Sequence, residues 1–119
     1  MGYDIGRFVS VLISVVVPAL NEEELLGNCL QSLTRQVCDF EYEIIVVTNS
    51  NADNTINIAN EYGVRIIYEK GPGVTMARAT GFTEAQGDII ASTDADTVVP
   101  QYWLARINQI FVNHPEAVG

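Results

Sequence analysis

"VSVLISVVVPALNEEELLGNCLQSL", residues 9–33, changes its hydrophobic period in the middle. Val9 to Val17 is rich in β-branched residues and apolar on both faces, the pattern of a strand buried inside a parallel sheet. Past Pro18 the spacing becomes helical, with Leu25, Leu26, Cys29, Leu30 and Leu33 on one face. Asn21 stands in the N-cap position and Glu24 three residues on, which reads as a capping box.

The same alternation recurs three times. "YEIIVV" reads as a second buried strand and Thr55 to Tyr62 as a helix, "VRIIYE" as a third strand and Thr75 to Gln86 as a helix, "DIIAST" as a fourth strand and Pro100 to Val112 as a helix. Pro100 suits a first helical turn, where a missing N–H costs nothing, and Trp103, Leu104, Ile107, Ile110 and Phe111 supply a buried stripe. Strand and helix alternating at this spacing predict an α/β fold with a mostly parallel, Rossmann-like sheet, flanking helices and right-handed crossovers.

The chain of 119 residues fits one domain, residues 1–119, with a single core. Its net charge is −9, and its six basic residues are scattered, so it lacks the clustered Lys and Arg that nucleic-acid binding needs. The two cysteines, Cys29 and Cys38, form no CxxC pair, and the lone histidine, His114, gives no zinc spacing. They read as free thiols of a reducing compartment. Ser10, Ser14 and Pro18 break the first apolar run short of a membrane span, no signal peptide or myristoylation pattern precedes it, and no membrane contact is expected within these residues. A cytoplasmic location is expected, free or membrane-associated through a longer parent chain.

Ligands of open parallel sheets sit beyond the carboxyl ends of the strands, where strand order reverses. The residues there are Pro18, Ala19, Leu20, Asn21 and Glu22 after the first strand and Thr48, Asn49, Ser50 and Asp53 after the second. Glu69, Lys70, Gly71 and Gly73 follow the third, and Asp94 and Asp96 the fourth. In an extended chain Asp94 and Asp96 point to one side, and two neighbouring carboxylates repel, share a proton or share a cation. Magnesium or manganese answers this, since such ions are held by one or two carboxylates together with substrate phosphates. The alternative is that Asp96 caps the helix opened by Pro100 while Asp94 is solvated.

"SVVVPALNEEELLGNCLQSLTRQ", "EIIVVTNSNADNT" and "GPGVTMARATGFTEAQGDIIASTDADTVVPQYWL", in that order over nearly the whole chain, resemble the successive motifs of the inverting family 2 glycosyltransferases of GT-A fold. The resemblance implies the N-terminal half of that fold and transfer of a sugar from a nucleoside diphosphate donor, with Mn2+ or Mg2+ held at the DxD motif. It assigns Pro18, Ala19, Asn21 and Glu22 to the nucleotide pocket and Asp53, Asn49 and Asn51 to the surroundings of base and ribose. Gly71, Gly73 and Arg78 fall under ribose and diphosphate, Asp94 reaches nucleotide and metal, and Asp96 is the direct metal ligand.

Elementary chemistry agrees with these roles. Gly71 and Gly73 permit positive φ and close backbone approach, helix-opening amides suit phosphate, and Arg78 offers a fork of donors. The plainer readings are a turn at Gly71–Gly73, caps at Asn21 and Asp53, a rim ion pair from Arg78 to Asp94 or Asp53, and a core position for Trp103. Thr48 stands where the family opens its second motif with aspartate, which leaves the nucleobase undetermined. The family's catalytic base lies well past its DxD, so none is assigned within this chain and it is expected beyond Gly119. The donor-binding part alone is therefore expected here, with little transfer by itself. Its fourth strand would be left with an apolar edge, for which a homo-oligomer is expected.

Other classes fit less well. A sugar nucleotidyltransferase needs a glycine-rich loop after the first strand, and "PALNEEE" has no glycine. A response-regulator receiver needs a phosphoacceptor aspartate after the third strand, where Glu69-Lys70 stand. A non-catalytic nucleotide- or metal-binding module is the remaining alternative.

Overall fold

The computed structural model describes residues 11–49, 54–71 and 73–114. Four strands and four helices alternate: β1 Leu12–Pro18, α1 Glu23–Thr34, β2 Glu41–Thr48, α2 Thr55–Glu61, β3 Arg65–Tyr68, α3 Gly73–Glu84, β4 Ile89–Ser92 and α4 Trp103–Asn113. The strands form one parallel sheet in the order β3-β2-β1-β4. β1 is central, with Val15 registered against Ile44 on one side and Ala91 on the other. Among the described residues β4 has a strand partner on one side only, and Ile90 is 40% exposed.

The two faces of the sheet bury different side chains because successive strand residues point oppositely. Ile13, Val15, Val17, Ile44 and Val46 join Leu26, Leu30 and Leu33 of α1, Ala59 of α2 and Leu104 of α4 in the larger core. Val16, Ile45 and Val47 meet Ala77 of α3 in a smaller one. The contact face of α3 is built from small residues, Ala77 and Gly81, while its larger Val74, Met76 and Phe82 are exposed. Small side chains let this helix lie close to two fully buried valines.

Helix starts depart from the sequence reading. α1 opens at Glu23, with Glu22 in the cap position and no side-chain cap, so Asn21 is not the N-cap and no capping box forms. Asn21 has φ 60, and its tolerance of the left-handed region lets the chain turn sharply out of the sheet. The Glu22 carbonyl accepts from the Leu25 and Leu26 amides instead. α3 runs from Gly73 to Glu84, two residues ahead of the expected span, because Gly73 with φ 85 redirects the chain there.

α4 begins at Trp103 rather than Pro100, since Pro100 to Trp103 form a turn closed by a bond from the Trp103 amide to the Pro100 carbonyl. The helix is capped from a distance. Gln36 accepts from the Leu104 amide at 2.8 Å and donates to the Pro100 carbonyl at 2.7 Å. Of the expected stripe only Leu104 is fully buried; Trp103 and Ile107 pack half-buried on the core and Ile110 is 55% exposed. No helix among the described residues is long and apolar enough to cross a membrane. Cys29 is buried, Cys38 half-buried, and both are free thiols.

Candidate functional site

Strand order reverses between β1 and β4, so the crevice between their carboxyl ends is where a ligand finds backbone and side chains from both directions. A cavity of about 200 Å³ opens there, lined by Pro18 at the end of β1, Leu20 and Glu22 after it, Asp94, Ala95 and Asp96 after β4, and Val74 in the first turn of α3. A hollow of about 450 Å³ lies at the opposite rim, among Thr34, Tyr42, Tyr62 and Arg65. Its Tyr42 hydroxyl is engaged with the Leu33 carbonyl and its Arg65 with Glu84, and it lies at the amino ends of β2 and β3, so the crevice is the candidate site.

The chain does not stay extended through the two aspartates. β4 ends at Ser92, and a turn closed by the Thr97 amide donating to the Asp94 carbonyl at 3.0 Å carries both residues. Their carboxylates still reach the same cavity, and both are exposed. Asp96 does not cap α4, which starts seven positions later. Asp94 is not merely solvated: the Arg78 guanidinium donates to it at 2.9 Å and, through Nε, to the Ser92 hydroxyl at 3.1 Å. The rim ion pair considered from sequence is therefore formed, to Asp94. Behind the turn, the buried Cys29 thiol faces the Asp94 carbonyl at 3.5 Å; burial, then Asp96 and Asp94, push its pKa up to about 11.

The glycine segment divides its roles. Gly73 has the positive φ expected of it, whereas Gly71 is not among the residues of positive φ. A Cβ at Gly71 would meet Met76 Cγ at 2.7 Å and Glu69 Oε2 at 2.9 Å, so a larger residue there would displace these side chains, the Glu69 carboxylate among them. The Gly71 amide donates to Glu69 at 2.9 Å, and the Thr80 hydroxyl donates to the other carboxylate oxygen at 2.7 Å. Glu69 thus ties the glycine turn to the helix that carries Arg78. The Thr80 bond first, then the Gly71 amide, hold the Glu69 carboxyl below its ordinary value.

A carboxyl depressed in the folded state stabilises it above the unfolded value and loses that contribution as pH falls through the folded one. The melting-temperature gap between the wild type and Glu69→Gln is expected to be widest near neutrality and to close as pH falls below 4.5. A gap that stayed constant to acid pH would show that the glutamine damages packing instead.

Of the other sequence-predicted residues, Pro18 and Glu22 line the cavity, Asn21 is exposed and does not line it, and Asn49 is half-buried after β2. Ala19 is fully buried, and its amide extends the β1–β2 ladder to the Val47 carbonyl at 2.8 Å. Asn51 and Asp53 lie outside the described residues. Leu20 and Glu69 were placed on the rim from the sequence without a role, and Val74, Ala95 and Ser92 were not named. For Ser92 the signal was a lone hydroxyl closing an apolar strand; Val74 offered none.

Residues 14–119 match the model of the family described as Glycosyl transferase family 2. The chain belongs to that family. Among family 2 relatives it is 34% identical over 101 residues to glycosyltransferase AglE of Haloferax volcanii, covering 79% of this chain and 33% of that protein. TarS of S. aureus, residues 1–349 in complex with UDP, superposes with a TM-score of 0.77 at 25% identity, over 87% of this chain and 32% of that one. Glucosyl-3-phosphoglycerate synthase from Mycobacterium tuberculosis, in complex with Mn2+, UDP and glucosyl-3-phosphoglycerate, gives 0.64 at 28% identity, over 80% and 38%. The chain spans about a third of the length of the curated relatives it matches. Its sheet and helices are those of the GT-A glycosyltransferases in this shared portion.

Family 2 membership raises the matter of a divalent metal, which the side chains test directly. Among the described residues no cluster of three or more His, Cys, Asp or Glu could hold an ion alone. Two exposed carboxylates in one cavity, with Glu22 nearby, are hard oxygen donors of the number that Mg2+ or Mn2+ uses when substrate phosphates complete the shell. The donor set fits such an ion.

Proposed function

We propose that residues 1–119 form the donor-binding domain of an enzyme that transfers a sugar, with inversion, from a nucleoside diphosphate to an acceptor hydroxyl. The observation that carries this reading is the cavity at the β1/β4 switch point with Asp94 and Asp96 on its wall. UDP in TarS, and Mn2+ with UDP in the mycobacterial synthase, support it by analogy.

In this reading Asp94 and Asp96 hold Mn2+ or Mg2+, which when bound neutralises the diphosphate as it leaves. Pro18 and Leu20 form an apolar wall that seats the nucleoside and excludes water. Asn49, with Asn51 and Asp53, approaches base and ribose. Gly73 opens α3, whose first-turn amides point along the helix axis toward an anion, and Arg78 on the same helix supplies a guanidinium. Transfer also needs a general base within hydrogen-bond reach of the acceptor hydroxyl, a role assigned to none of the described residues.

With a net charge of −9 the chain repels a free diphosphate, so binding should require the cation. Thr48, fully buried at the end of β2, leaves the choice of nucleobase to experiment. Calorimetric titration of UDP and of GDP, each with and without Mn2+, is expected to show manganese-dependent binding of one nucleotide over the other. Equal binding without metal, or none with it, would overturn the reading.

A further inference from the structure

Arg78 does more at this site than wait for a phosphate. Its side chain is held at two points, by Ser92 Oγ on Nε and by Asp94 Oδ1 on a terminal nitrogen. The Ser92 hydroxyl spends its single proton on the Val16 carbonyl at 3.1 Å, so only a lone pair faces Arg78. This arrangement orients the fork across the end of β4, and the Arg78 side chain is about one-third exposed while that of Asp94 is 62% exposed. The cavity wall carries three carboxylates, Glu22, Asp94 and Asp96, and Arg78 is the cation placed against one of them.

We infer that Arg78 is a resident counter-charge for Asp94 that makes metal and nucleotide bind cooperatively, with Ser92 as the residue that positions it. The inference rests on the donor-site reading above and adds the order of loading. A divalent ion arriving alone at Asp94 meets a guanidinium within one hydrogen bond of the same carboxylate. Two like charges so close oppose each other even in high dielectric. A diphosphate changes the balance, because it offers the guanidinium a second anion and the metal further oxygen ligands. Each ligand then raises the affinity for the other by the same factor, as linkage requires. A bare metal ion is discriminated against, and the metal–diphosphate pair is favoured.

The test uses Mn2+ itself, followed by electron paramagnetic resonance, with and without UDP or GDP, whichever the titration above selects. Arg78→Gln is expected to bind Mn2+ alone roughly tenfold more tightly than the wild type, since a cation close to the site has gone. Arg78→Lys, which keeps the charge, should stay near the wild type. The enhancement of Mn2+ affinity by nucleotide should shrink in Arg78→Gln, and raised salt should narrow the difference between the variants. Ser92→Ala, which keeps the arginine but frees it, should move Mn2+-only affinity the same way by a smaller factor, and serves if Arg78→Gln does not fold. A role in packing alone would move none of these. Mn2+ binding in the variants no tighter than in a wild type that binds Mn2+ with nucleotide would overturn the counter-charge and leave the donor site standing. A wild type that binds no Mn2+ even with nucleotide would overturn the donor-site reading and this inference with it.

Discussion

Asp96→Ala is expected to lower manganese-dependent nucleotide affinity by about 100-fold or more, with the melting temperature unchanged. Changes to groups that only orient a metal ligand typically cost about 10–100-fold in metal affinity, and a ligand itself stands at or beyond the top of that range. Asp94 is partly committed to Arg78, whereas among the described residues no ion pair engages Asp96. The adjacent Thr97 hydroxyl stands 3.5 Å from its carboxylate, too far to hold it. Asp96 is therefore the carboxylate free to give both oxygens to a cation. It is exposed in a turn, and surface substitutions of that kind usually shift stability by no more than about 0.5 kcal/mol. Calorimetry of the variant with UDP or GDP and Mn2+ decides the matter. Binding equal to the wild type would remove Asp96 from the metal site. Asp96→Asn separates the charge from the oxygen donor and should fall between the two.

Gly81→Val is expected to destabilise the fold by about 3 kcal/mol, at the upper end of what overpacking a core costs. In an exposed helix, replacing glycine would instead gain up to about 1 kcal/mol from propensity. Position 81 reverses the sign. A Cβ at this position would overlap Val16 Cγ1 and lie 3.2 Å from Val47 Cγ2, and both valines are fully buried in central strands that cannot retreat. Valine adds two more carbons to that overlap. α3 would have to lift from the sheet, carrying Arg78 and the glycine turn with it, so nucleotide binding should weaken in parallel. Urea unfolding of Gly81→Ala and Gly81→Val measures the series. Stabilisation by alanine would mean that α3 is free to move outward.

The alternation of strands and helices was legible because burial on both faces of a parallel sheet leaves a continuous β-branched run, and α1 marks its buried stripe with leucines. α3 was legible as a helix but not in its orientation. Its larger apolar residues, Val74, Met76 and Phe82, share no one helical face, and the structure turns Ala77 and Gly81 inward, against Val16 and Val47. The start of α4 was misread for a related reason. Pro100 is a good first-turn residue, but the Leu104 amide in the first turn of this helix is satisfied by Gln36, 68 residues away in sequence. No local rule reaches across that distance.

At the site, Asp94, Asp96, Glu22 and Pro18 were named from their place past strand ends, which period and the parallel-sheet rule supply without coordinates. Spacing by itself could not tell a metal pair from a helix cap. The sequence alone determined the fold class and the rim on which polar residues gather, since both follow from hydrophobic period and chain connectivity. The tertiary structure decided which of those residues share a cavity, that Asp96 is free of α4, and that Arg78 is already paired. Those outcomes depend on distances between segments far apart in the chain, set by the packing of α3 and β4 against β1, and a one-dimensional pattern does not contain them.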